Sequence, residues 1–142
     1  MTNATAGIGA PPRQRGKTAI ALLAGIAVGV GLSLGTDEIL HVFKIYPPWR
    51  QPMSDRLFAL ATMYRTIYNI IGSYVAARLA PYRPMWHALV LGVLGLAVGA
   101  AGAAATWNAN PPLGPHWYGI AVALISIPCA WIGGLLAERR RG

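Results

Sequence analysis

Four long apolar stretches dominate the chain, at residues 18–36, 57–80, 85–106 and 117–137, and residues 39–43 can extend the first. Short polar or proline-containing segments separate them. Each stretch reaches the roughly 20 residues that carry a helix across about 30 Å of hydrocarbon. Helix is the expected form, because in lipid every backbone polar group needs a partner within the segment. The pattern therefore predicts an all-α membrane four-helix bundle. Pro128 falls inside the fourth stretch, where neighbouring helices or hydroxyls can cover the carbonyl it frees.

Small residues recur within the apolar runs at helical spacing. In the fourth, Gly119, Ala123, Ser126, Ala130, Gly133 and Ala137 step alternately by four and three. In the second, Thr62, Thr66, Asn69, Ser73, Ala76 and Ala80 repeat that pattern 57 positions earlier. Lipid gives helices no hydrophobic reason to associate, so they meet through small residues that let backbones approach. The first and third runs also align, residues 25–36 with 95–106 at an offset of 70. Together the offsets describe two tandem transmembrane hairpins related as a parallel internal repeat, the first having the longer connecting loop. Chance similarity between apolar helices is the competing account.

Charge changes the picture by giving orientation. The chain carries 12 Lys and Arg against 4 Asp and Glu, and only 11% of its 142 residues are charged, against about 25% in soluble domains. Arg13, Arg15, Lys17, Arg78, Arg83, Arg139, Arg140 and Arg141 fall on one side of the predicted bundle. Lys44, Arg50 and Arg56 fall on the other, offset by Asp37, Glu38 and Asp55. That bias puts both termini in the cytoplasm, as in a multi-pass protein of the inner membrane. The basic residues flank apolar runs and are not interleaved with stacking aromatics, which argues against nucleic acid. Residues 1–16 read as a disordered cytoplasmic tail and 139–142 as a basic cytoplasmic end. The run after the tail is too long for a signal-peptide core, so it reads as a retained first helix.

The candidate chemistry is sparse. Arg65 lies about 13 Å beyond Arg56 at helical rise, deep in the second run. An intramembrane arginine needs a partner or an aqueous cavity. Tyr64, Tyr68 and Asn69 can share its donors, and Asp37 and Glu38 at the far end of the first run are the available anions. Three readings stay open: a pin between the first two helices, a site for an anion or lipid headgroup, and snorkelling along the lipid face. Glu38 and His41, three residues apart, are a weak metal pair, since a site needs three or four ligands. His87 reads as an anchor at the cytoplasmic interface. Cys129 is the single cysteine and reads as a small buried hydrophobe. No nucleophile–base arrangement and no cofactor motif is present, so the sequence does not point to an enzyme.

Several short features occur in a familiar order: Glu38 and His41, then Tyr46-Pro47-Pro48, Pro81, Pro115-His116-Trp117, and the segment from Pro128 to Gly134. In this order, over residues 18–139, the chain resembles small bacterial four-helix integral membrane proteins of unassigned function. The resemblance implies architecture and no chemistry. The leading expectation is a structural or accessory membrane protein, with the lipid bilayer, other membrane proteins or further copies of itself as partners. The alternative is a homo-oligomeric transporter or channel for a small solute or ion, with Arg65, Tyr68 and Asn69 at its site.

Overall fold

A computed structural model describes residues 12–142, and it is helical: α1 (Pro12–Val42), α2 (Asp55–Leu79), α3 (Pro84–Thr106) and α4 (His116–Arg139). The disordered tail expected at residues 1–16 lies outside the described residues up to residue 11. Residues 12–16 are instead the first turns of α1. Proline at a helix start gives up an N–H that would have no intrahelical partner. At 31 residues α1 is far longer than the 18–36 core of its apolar run. The polar step at Thr36, Asp37 and Glu38 does not break it, because the Asp37 carboxylate finds partners on α2.

Just past the end of α1, Lys44 adopts a left-handed conformation (φ 56°). The Lys44 N–H then bonds the His41 carbonyl at 3.0 Å, and the Ile45 N–H bonds the Leu40 carbonyl at 2.9 Å. This is the closing pattern usually built on glycine. It reverses the chain and returns Tyr46 to the helix ends, where it is buried.

The starts of α1 and α3 and the ends of α2 and α4 share one end of the bundle, here the terminal end. The loops at 43–54 and 107–115 share the other, the loop end. α2 packs along both α1 and α4, α3 packs along α4 and more narrowly on α2, and α1 and α4 do not meet. Large apolar side chains point outward: Val98 and Phe43 are each 72% exposed. The interior is built of small residues, among them Ala76, Ala77, Ala88, Ala130 and Ala137. Such an inside-out distribution suits lipid and not water.

Three helices are long and apolar enough to cross a membrane: Gln14–Val42, Pro84–Thr106 and His116–Arg139. α2 has the length but not the composition, because Arg65, Asn69 and three tyrosines interrupt it. The small-residue stripe of α4 turns inward, with Ala123, Ser126, Ala130, Gly133 and Ala137 all buried. A Cβ on Gly133 would lie 2.7 Å from the Ile70 carbonyl oxygen and 2.8 Å from the Tyr74 nitrogen, so the α2 and α4 backbones touch. Gly25 and Gly72 bring α1 and α2 equally close. The hairpin contacts are not equivalent under the 70 and 57 offsets. Gly25 meets Gly72, whereas its counterpart Gly95 meets Ser126, about one turn from Cys129.

The terminal end is closed by side chains that cap helices. Arg141 donates from Nη2 to the carbonyls of Arg78 and Ala80, both at 2.7 Å, satisfying oxygens that Pro81 prevents the helix from using. His87 is completely buried, a correction to its reading as an interfacial anchor. Its Nδ1 bonds the Arg83 carbonyl and its Nε2 the Thr18 hydroxyl, each at 3.2 Å, tying α3 to the first turns of α1.

Candidate functional site

The polar residues of α1 and α2 converge near the loop end. Asp37 is buried at 7% exposure. Its two oxygens are shared between consecutive residues of α2. Oδ1 accepts a short hydrogen bond from the Tyr64 hydroxyl, and Oδ2 pairs with Arg65 Nη2 at 2.6 Å. Because a carboxylate only accepts, the single Tyr64 proton is committed to Asp37. Tyr46 therefore donates, either to the Tyr64 oxygen at 3.1 Å or to the Leu57 carbonyl at 3.4 Å. Burial is the main cause raising the Tyr46 phenol above its ordinary range. One turn further along, Thr36 and Tyr68 join their hydroxyls at 2.8 Å. The network ties α1, the 43–54 loop and α2 into one unit.

Arg65 reaches in two directions. Beyond Asp37, its guanidinium carbon lies 5.9 Å from the centre of the Tyr118 ring on α4, within cation–π range. Tyr118 in turn packs on Phe58 with ring centres 4.9 Å apart. Asp37 holds only Nη2, and Nε is buried with no hydrogen-bond partner among the described residues. Thirty per cent of the Arg65 side chain stays accessible.

The sequence candidates divide accordingly. Arg65 and Asp37 come together. Glu38, the next residue, is exposed and forms no ion pair among the described residues. Tyr68 is spent on Thr36 and not on Arg65, and half-buried Asn69 makes no hydrogen bond to the guanidinium. His41 turns away from Glu38: its Nδ1–H donates to the Asp37 carbonyl at 2.7 Å, and its ring stacks on Trp49 at 3.9 Å. Among the described residues no three His, Cys, Asp or Glu side chains converge as a metal site would require. His116 is engaged elsewhere, stacked on Trp107 at 3.9 Å with Nε2 at 3.0 Å from the Trp107 carbonyl.

Sequence reading missed Tyr46, which reaches the network only through the left-handed turn at Lys44. It also gave no sign of Tyr118, whose ring lies against Arg65. The larger omission is a cavity of about 290 Å³ at the loop end, between α2, α3, α4 and the 107–115 loop. Arg65, Phe58, Tyr118, Thr106, Trp107 and His116 line it, together with Gly99 and Gly102. Its mouth lies beside the exposed Thr106, Trp107 and His116. The size is at the lower edge of the about 300–1,000 Å³ typical of small-molecule sites.

No family model, curated protein or solved structure matches this chain.

Proposed function

We propose that all four helices cross a membrane, α2 included, and that the chain is a structural or accessory membrane protein. The observation that carries this reading is the Arg65–Asp37 pair, closed within the chain above a tightly packed terminal half. An arginine answered by its own bundle serves as a lock between α1 and α2. Below it, the contacts of Gly25 with Gly72 and of Gly133 with Ile70 leave helices touching, which supports a dry interior and not a conduit. The polar residues of α2 are compatible with spanning because that helix packs against all three others. The basic residues at the terminal end support cytoplasmic termini, and the resemblance to small bacterial proteins supports an inner-membrane setting. On α1, Gly31 and Gly35 face open space and offer a close approach to a neighbouring protein or a second copy. Duplication of one hairpin, followed by a slip in packing register, accounts for the similarity of the halves.

A second reading, a homo-oligomeric solute transporter, is favoured by one feature, the cavity that reaches Arg65. The two readings separate at Ser73, buried where α2 meets Gly133. In a Cys129→Ala background, Ser73→Cys should resist a membrane-impermeant maleimide from either side. Cysteines placed at Gln51 and Tyr82 should label from opposite sides. Labelling of residue 73 would replace the accessory reading with the transport one. Labelling of 51 and 82 from one side would show that α2 does not span.

A further inference from the structure

The cavity at the loop end has features that a purely structural lock does not need. Arg65 carries five N–H donors in a planar fork, and carboxylates usually engage such a fork through both oxygens. Asp37 does not: Tyr64 bonds Oδ1, and only Oδ2 reaches the guanidinium. The arginine is thus neutralised in charge but incompletely used in hydrogen bonding, and its accessible part lines the cavity. Spare donors at this depth gain little from lipid tails, so an oxyanion that takes them is favoured. The opposing walls are apolar and aromatic: Phe58, Leu113, Tyr118 and the Trp107–His116 stack. Thr106 adds one hydroxyl beside them, bonded within its own helix to the Gly102 carbonyl at 2.9 Å.

From this arrangement we propose that the cavity binds a small, singly charged oxyanion carried on an apolar body, its charged end on Arg65 and its body between Phe58, Trp107 and Tyr118. Single charge follows from Asp37. The Arg65–Asp37 pair already sums to zero, so a dianion would place two further negative charges against that carboxylate. The size follows from the volume, which exceeds many times the roughly 10–15 Å³ needed to hold one water but is too small for a long chain to lie wholly inside. Two sources supply this chemistry, a free short-chain carboxylic acid and the phosphodiester of an anionic lipid. The proposal rests on the four-span topology in placing Arg65 at membrane depth and the cavity mouth at the outer face.

The test uses the full chain in nanodiscs of zwitterionic phosphatidylcholine, with hexanoate binding read by saturation-transfer NMR. Hexanoate should bind the wild type, and sulfate in excess should not displace it. Arg65→Gln should weaken binding at least tenfold. If that variant fails to fold, Gly102→Leu carries the test: a Cβ at Gly102 meets nothing within 4 Å, so the fold tolerates it while the side chain fills the cavity. It too should lose at least tenfold. Gly31→Leu, equally unhindered but remote from the cavity, should bind as the wild type does. Displacement of hexanoate by phosphatidylglycerol added to the discs would assign the same site to a lipid headgroup. Binding that survives Gly102→Leu, or no binding of hexanoate together with no enrichment of phosphatidylglycerol, would overturn the proposal. The cysteine-labelling result is independent, so failure here leaves the accessory reading intact.

Discussion

At the terminal end of the bundle, helices meet backbone to backbone. Gly25 lies on Gly72, Gly92 against the Ser126 carbonyl and Gly133 against the Ile70 carbonyl, with His87 the one large side chain wholly enclosed among the described residues. At the loop end, the space between α2 and its neighbours is spanned by long side chains: Phe58, Tyr64, Arg65 and Tyr118, with Tyr46 brought in from the loop. Both solutions answer one problem, which is that lipid supplies no hydrophobic force to hold helices together. Dispersion between small residues needs close approach and leaves no space. Hydrogen bonds and an ion pair act at the reach of a side chain and leave room beside them. The difference shows why the cavity lies at the loop end: the helices there are joined by atoms that do not fill the volume between them.

The sharpest way to break this comparison is to remove the ion pair. Asp37→Ala leaves Arg65 without its counter-charge and Tyr64 without its acceptor. Breaking a buried pair from one side costs about 3–5 kcal/mol. With part of Arg65 accessible, a loss near the lower end, about 3 kcal/mol, is expected from thermal unfolding in detergent. Glu38→Ala, one position on and exposed, should shift stability by less than about 0.5 kcal/mol. Similar losses in the two variants would mean that no specific pair holds the loop end.

The second effect probes the other end. Gly133→Ala pushes a methyl against the Ile70 oxygen and the Tyr74 nitrogen, which are backbone atoms and cannot rotate aside. Overpacking of this kind costs about 1–3 kcal/mol. Gly102→Ala adds the same methyl in open space and should be within about 0.5 kcal/mol of wild type. If the two glycines respond alike, the terminal end is looser than its contacts imply.

These pairs also mark what the sequence could reveal. Helix positions followed from apolar run length, and an arginine in such a run demanded a partner near Asp37 and Glu38. Which of the two answers it was not legible. Consecutive helical residues point about 100° apart at 3.6 residues per turn, and the rotation of α1 is set by where Gly25 meets Gly72. Composition could not reveal that the polar helix lies among the other three. His87 looked interfacial because its burial depends on Thr18 of α1 packing against it, a contact between helices that neither run encodes alone. The cavity was invisible, since its lining comes from three helices and a loop whose spacing no single run encodes.

The smallest effect concerns Tyr46, where the helical and loop contributions to the network separate. Its hydroxyl is the outermost donor in a chain that ends on Asp37. Tyr46→Phe keeps the ring in its buried cluster with Ala61 and Tyr64 while removing that donor. Tyr64 still donates to Asp37 and the ion pair stays whole, so the loss should be that of one neutral hydrogen bond, about 1 kcal/mol. Double-mutant cycles then distinguish two structures of the same network. If Tyr46 acts on Asp37 only through Tyr64, Tyr46→Phe should cost almost nothing in a Tyr64→Phe background. A full additive cost would mean that its bond to the Leu57 carbonyl dominates and that the loop is fastened to α2 independently of the ion pair. In that case the loop end is held by two separate fastenings, and the charge on Asp37 matters to α1 and α2 alone.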